Sequence, residues 1–219
     1  MLKISMAPRG TDAWHDAREF ARATYAEVHQ AAIKPDPDAF IIAAGPDAEG
    51  ARTVQGCAGC TYASQEPFFS ERYLDTTAEQ AIGKHTGAPV DRSRIVEIGA
   101  LAGPGGAGQE MVRLIPIIAW CTGMEYILCT VTARLRDLLQ QLDITLTVLG
   151  DADPERLETG ERAAWGTYYD QLPQVGFIEL RVLAPLFAGA TGRYAFLEPV
   201  VELLTGTTTP QEVATRASR

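Results

Sequence analysis

One segment narrows the choice of folds more than any other. Residues 94–102 read as a buried strand and run straight into Gly103-Pro104-Gly105-Gly106-Ala107-Gly108, which opens an apolar helix ending near Trp120. A second apolar, β-branched run at 126–131 then reads as the returning strand, so the unit is strand, glycine loop, helix, strand. Glycines let backbone N–H groups approach an anion closely, and a helix N-terminus adds unpaired donors and a favourable dipole. The loop literally matches GxGxxG, but a dinucleotide site also wants an acidic residue closing the next strand. Cys129-Thr130-Val131-Thr132 offers none, and Glu125 stands at that strand's start. No Gly-Lys-Ser/Thr follows, so the loop is not a Walker loop. Two readings stay open, a pyrophosphate cradle of unspecified type and a plain strand-to-helix turn. Pro104 removes one donor from either.

Around this unit the chain alternates strands and helices. Residues 4–6 form a short strand, and a helix from Asp12 carries Trp14, Ala17, Phe20, Ala21, Tyr25 and Val28 at helical spacing. Asp12 is its expected cap, with Pro35 and Pro37 ending it. Residues 40–44 and 52–63 read as an antiparallel hairpin, followed by an aromatic-rich connection at 65–75 and a short helix at 77–84. Beyond 131 the pattern predicts a helix at 133–142, a strand at 144–149, polar helix or loop at 154–161 and a last strand at 175–183. Hairpins mixed with a crossover predict a mixed sheet with helices on both faces.

Composition removes several functional classes. The 219 residues carry a formal net charge of −9, which argues against a nucleic-acid or anionic-membrane surface while allowing a local basic pocket. Neither a leader-like N-terminus nor a membrane-length apolar run is visible, so a cytoplasmic protein with no membrane partner and reduced thiols is expected. Cys57-Ala58-Gly59-Cys60 is a single CxxC inside a strand, without the second pair of a structural zinc site. His15, His29 and His85 show no ligand spacing, and no metal is expected.

Two stretches resemble a known family. Residues 89–102, Pro-Val-Asp-Arg-Ser-Arg-Ile-Val-Glu-Ile-Gly-Ala-Leu-Ala, look like the central motif of the bacterial thermostable hemolysins, and Trp165-Gly166-Thr167-Tyr168-Tyr169 looks like a downstream motif of that family. Tyr73-Leu74-Asp75 is a weaker echo. That family is similar to the acyl-homoserine-lactone synthases and the wider GNAT superfamily of N-acetyltransferases. The resemblance implies an α+β sandwich: a GNAT-like, mostly antiparallel mixed sheet with helices on both faces and a splayed central strand pair. It also implies an acyltransferase domain over residues 1–185, leaving 186–219 as a C-terminal extension that is in part a loose tail.

The implied chemistry is transfer of an acyl group from an acyl-CoA or a phosphopantetheine arm, used as co-substrate, to a small amine in secondary-metabolite or signal biosynthesis. No tightly bound cofactor is expected. An acyl carrier protein and a homodimer are the partners that the resemblance allows. Glu97, flanked by Val96 and Ile98, suits a base or an ammonium anchor because apolar neighbours raise a carboxyl pKa. Its alternatives are a solvent-facing carboxylate or a pair with Arg94. Backbone N–H groups at Leu101, Ala102 and Gly103 would polarise the thioester carbonyl, and Gly105, Gly106, Ala107, Gly108 and Gln109 would cradle phosphate, with Arg113 adding charge. Tyr168 is the candidate acid for the leaving thiolate. Arg18, Phe20, Arg92, Arg94, Trp165 and Tyr169 are placed on the acceptor side, with surface, core packing or salt bridges as their alternatives. Two other classes remain: a donor-binding sensor without turnover, and a membrane-active, hemolysin-like protein.

Overall fold

Seven strands form one sheet in the order β1-β2-β3-β4-β5-β7-β6 in the computed structural model, which describes residues 2–46 and 50–190. They are β1 (Lys3–Pro8), β2 (Ala39–Pro46), β3 (Arg52–Tyr62), β4 (Ile95–Ala102), β5 (Tyr126–Val131), β6 (Thr147–Asp151) and β7 (Gln174–Glu179). Every neighbouring pair is antiparallel except β4 and β5. That exception is the crossover around the glycine loop. The helices are α1 (Asp12–His29), α2 (Ala78–Thr86), α3 (Gly105–Cys121), α4 (Ala133–Gln141), α5 (Thr159–Ala164) and α6 (Ala184–Ala190). The chain divides into a unit spanning Met1–Ala188 and a second spanning Gly189–Arg219. From residue 191 the expected 186–219 extension lies outside the described residues.

Side-chain alternation along the hairpin assigns the two layers. Phe40, Ile42 and Cys57 pack under Trp14, Ala17 and Ala21 of α1, whereas Ile41, Ala43, Ala58 and Cys60 pack against Met111, Val112 and Ile115 of α3. Burying a residue the size of Met111 contributes roughly 1.5–3 kcal/mol, so each layer is held by many such contacts rather than by one anchor. The CxxC thiols thus point to opposite faces of β3, and both are buried small residues of the core, as the strand reading predicts. No group of three metal-ligating side chains occurs among the described residues.

Several boundaries differ from the sequence expectation, each for a local reason. Thr11, not Asp12, caps α1, its hydroxyl accepting from the Trp14 N–H at 3.3 Å. The helix ends at His29 because Gln30 turns left-handed (φ 54°), ahead of the prolines. Residues 144–146 precede β6 rather than belonging to it; Ile144 is buried against the α3 layer, and that burial mimics the strand pattern. Past Glu179 the last strand becomes a 3-10 turn, Leu180–Leu183. Inside the aromatic connection lies another 3-10 turn, Phe69–Tyr73.

Candidate functional site

β4 and β5 pair only from Ile95↔Tyr126 to Ile98↔Cys129, although β4 continues to Ala102 and β5 to Val131. The next rung, Gly99 with Thr130, is not formed, and the two strands part there. On the other side β4 bulges against β3, where Gly59 faces Gly99 but Cys57 faces Ala102. Ala100 absorbs the extra residue at φ 46°, a left-handed conformation that costs a non-glycine residue of order 1 kcal/mol. The bulge inverts the alternation, so Ala102 packs on the α1 face although its parity with Glu97 predicts the opposite. Gly99 is exposed, and a Cβ there meets nothing within 4 Å. The wedge-shaped opening between the central strands is thus bordered by a strained bulge.

The glycine loop closes the wedge's far end. Pro104 precedes α3 with no side-chain cap on the first-turn amides, and no acidic residue occupies that turn. Gly105 (φ 55°) and Gly106 face open space, while a Cβ on Gly108 would overlap the Gly103 carbonyl oxygen. A Cβ on Gly103 would come within 3.2 Å of the Gly56 Cα. The glycines therefore divide their work: Gly103 and Gly108 let backbone pack on backbone, and Gly105 and Gly106 leave the helix N-terminus uncovered. Ala107 and Gln109 lie half-buried behind them, and Arg113 pairs with Glu110 at 3.2 Å.

Glu97 is buried, on the face covered by the 3-10 turn, and neither faces solvent nor pairs with Arg94. Its carboxylate accepts the Phe69 N–H at 2.8 Å and the Ser70 N–H at 2.7 Å. Burial pushes its pKa up; the Ser70 hydroxyl and the two amides pull it back, but the balance stays above an ordinary carboxyl. Ser70, itself 1% exposed, places its hydroxyl 2.9 Å from the Thr130 hydroxyl, and the Tyr168 hydroxyl donates to the Thr130 carbonyl at 3.3 Å. Burial, aided by Tyr25, Tyr169 and Cys129, holds the Tyr168 phenol far above its usual pKa.

The other sequence candidates fall into structural settings. Arg92 is clamped by Glu71 at 2.5 Å and Glu79 at 2.8 Å and lies over the Phe68 ring, so its guanidinium is taken up inside the fold. Arg94 donates to the Gly123 carbonyl at 2.9 Å. Arg18 sits over the Trp14 ring with its Nε buried and without a partner, while Phe20 packs beside the α1 core. Tyr169 meets the Tyr73 hydroxyl at 2.5 Å, and Trp165 packs among Tyr25, Phe69 and Tyr168. The structure thus gathers Glu97, Tyr168 and the Gly99–Gly103 backbone at one strand parting, and leaves Arg92 and Arg94 engaged elsewhere. Ser70 and Thr130 escaped the sequence reading. Both are lone hydroxyls without a motif, and only the β5 strand pattern hinted that Thr130 follows a buried run.

This mixed sheet with its parted central strands belongs to a fold shared with solved acyl-homoserine-lactone synthases. The solved BjaI, a CoA-dependent acyl-homoserine lactone synthase with SAM and isopentyl-CoA, aligns at TM-score 0.60 and 10% identity over 93% of this chain and 96% of its own. The acyl-homoserine-lactone synthase LasI aligns at 0.55 and 14% over 91% and 98%. FeeM, an N-acyl amino acid synthase from uncultured soil microbes, aligns at 0.52 and 13% over 85% and 98%. No curated protein shows significant sequence similarity to the chain. The thermostable hemolysin family model matches residues 7–183, and the chain belongs to that family.

Proposed function

We propose that this protein is an N-acyltransferase that moves an acyl group from a thioester donor, an acyl-CoA or a phosphopantetheine-linked acyl carrier protein, to a small-molecule amine. The observation that carries the reading is the unformed Gly99–Thr130 rung between the Ala100 bulge and the bare N-terminus of α3. A pantetheine arm laid along this parting as an added strand would place its phosphate end, the diphosphate of CoA or the phosphodiester of a carrier protein, at the amides of residues 105–109 and its acyl carbonyl beside those of Leu101–Gly103. The shared fold with BjaI, described as CoA-dependent, supports the donor; the likeness to FeeM supports an amine acceptor. In this reading Tyr168, buried and already donating its hydroxyl to the Thr130 carbonyl, holds β5 in place rather than serving as the acid. Leu101, Gly103 and Gly106 act through their backbones, and Arg18, with its unpartnered Nε, is the acceptor-side cation.

One observation favours a second reading, donor binding without turnover: both Glu97 oxygens are already engaged by backbone amides. Titration calorimetry with CoA and acetyl-CoA, followed by thiol release from acyl-CoAs of several lengths with a panel of amino acids and amines, separates the two. Binding with thiol release supports the enzyme, and binding alone supports the sensor. Affinity for a nicotinamide nucleotide with none for CoA overturns both. No described helix is long and apolar enough to cross a bilayer.

A further inference from the structure

A buried thiol ties the strained residue of β4 to the helix above it. Cys57 is fully buried on β3 and faces Ala102, the first rung past the bulge. Its Sγ lies 3.4 Å from the Ala17 carbonyl oxygen of α1 and 3.9 Å from the Ala100 carbonyl oxygen, so one S–H stands between the two acceptors. Of the buried side chains in this layer only Trp14 and Cys57 carry a polar hydrogen, and the Trp14 Nε1 donates to the Pro37 carbonyl at 3.1 Å. Burial pushes the Cys57 thiol up to about 12, which keeps it a donor at neutral pH.

The Ala100 carbonyl governs the amide that follows it. Pairing of β4 with β5 stops at Ile98, and pairing with β3 passes from Gly99 to Ala102, so neither Ala100 nor Leu101 has a partner residue on either side. No rung sets the plane of the peptide between them. In a trans peptide the C=O and the following N–H point in opposite directions, so a contact that holds the Ala100 carbonyl also aims the Leu101 N–H. Ala100 needs such support, because a non-glycine residue at φ 46° persists only where its surroundings hold it there.

We propose that Cys57 is a positioning residue for acyl transfer: its thiol, lodged against α1, sets the Ala100–Leu101 peptide so that the Leu101 N–H meets the thioester carbonyl. The proposal rests on the acyl-transfer reading, which gives that N–H to the carbonyl, and it names the side chain that aims it. Cys57 touches neither donor nor acceptor and forms no covalent bond in the reaction. Cys60, its companion in the CxxC, packs in the α3 layer and takes no part.

The test compares the wild type with Cys57→Ser, which keeps a donor, and Cys57→Val, which fills the space with methyl groups and keeps none. In this apolar layer a residue that serves packing alone ranks valine at or above serine, whereas a residue that aims an amide ranks serine above valine. Thiol release is followed with an acyl-CoA that the wild type turns over and an amine from the same screen. Removing an oxyanion donor outright costs roughly 10²–10³ in kcat, and Cys57→Val only loosens one, so its kcat should fall about tenfold with the KM for the acyl-CoA changed less than about threefold. Cys57→Ser should stay within about threefold of the wild type in both. The infrared carbonyl stretch of isotope-labelled acetyl-CoA, bound without acceptor, should move to lower frequency in the wild type and the serine variant and move less in the valine variant. A valine variant with kcat at or above that of the serine variant, and with the wild-type carbonyl shift, overturns the role of Cys57 while leaving acyl transfer intact. A wild type that binds CoA but releases thiol from no acyl-CoA overturns acyl transfer, and the role of Cys57 with it. Should Cys57→Val fail to fold, Cys57→Ala removes the donor without adding bulk and is read against serine by the same two criteria.

Discussion

Gly166 lies directly against the end of α1: at φ 53°, any Cβ it carried would overlap the His29 carbonyl oxygen. That carbonyl also accepts the Thr167 N–H at 2.8 Å and the Thr167 hydroxyl at 3.1 Å, and Ala32 N–H closes the same junction on the Ala164 carbonyl at 2.7 Å. The Trp-Gly-Thr-Tyr-Tyr segment is therefore a clamp on the C-terminus of α1. Its glycine is needed for contact and conformation alike, and its aromatic residues fill the space alongside.

Gly166→Ala should accordingly lose about 3 kcal/mol of stability, combining left-handed strain with a forced retreat from the α1 carbonyls. Chemical denaturation reads this directly. A loss under about 1 kcal/mol would mean that the junction yields easily and does not fix the placement of Tyr168.

Thiol reactivity follows from the opposed faces of β3. Cys57, Cys60 and Cys129 are buried, and burial pushes each thiol up to about 12, whereas Cys121 is exposed. A chromogenic disulfide reagent at neutral pH should report one fast equivalent in the native protein and all four only after denaturation. Mild oxidation should leave Cys57 and Cys60 unjoined, because their side chains leave the strand in opposite directions. Formation of a Cys57–Cys60 disulfide without unfolding would contradict the register of β3.

Much of this was legible in the chain because it is local. The strand, glycine loop and helix at 94–120 announce themselves through period and composition, and the hairpin register follows from its alternation. What stayed hidden is tertiary. Alanine carries no signal for a positive φ, so the bulge at Ala100 is visible only once β3 and β5 impose different registers on β4. Arg92 reads like any loop cation until Glu71 and Glu79, distant in sequence, converge on it. Ser70 and Thr130 are sixty positions apart and meet only because a 3-10 turn folds over the sheet at the parting.

Glu71 should govern part of the acid sensitivity. Burial alone would raise its pKa, but Arg92 and the Ala78 and Phe68 amides outweigh that and hold it below the ordinary carboxyl range. The native state thus binds fewer protons there than the unfolded chain. This contribution is fully present above the unfolded pKa and is lost as pH falls through that range toward the native value. Glu71→Gln should cost about 1–3 kcal/mol at pH 7, since it leaves Glu79 as the only carboxylate on Arg92 and sets an NH2 against one of the two backbone N–H groups. The variant should then lose less stability than the wild type between pH 7 and pH 4. Equal acid losses in denaturation curves at the two pH values would place the acid-sensitive carboxylate elsewhere.

Ala100→Gly separates strain from register at the wedge. Glycine removes the left-handed penalty of roughly 1–2 kcal/mol but adds unfolded-state entropy of roughly 0.5–1 kcal/mol, so the net change should be a slight gain, below about 1 kcal/mol. Ala100→Val, β-branched at the same φ of 46°, should instead lose about 2 kcal/mol or shift the bulge. If a shifted bulge moves Leu101 and Ala102 out of phase, the wedge loses its ordered wall, and affinity for CoA should fall together with stability in the valine variant alone. Calorimetric titration of CoA against both variants, beside their denaturation midpoints, decides the matter. Were the glycine variant to lose as much affinity as the valine variant, Ala100 would matter for its methyl group and not for the backbone conformation it holds.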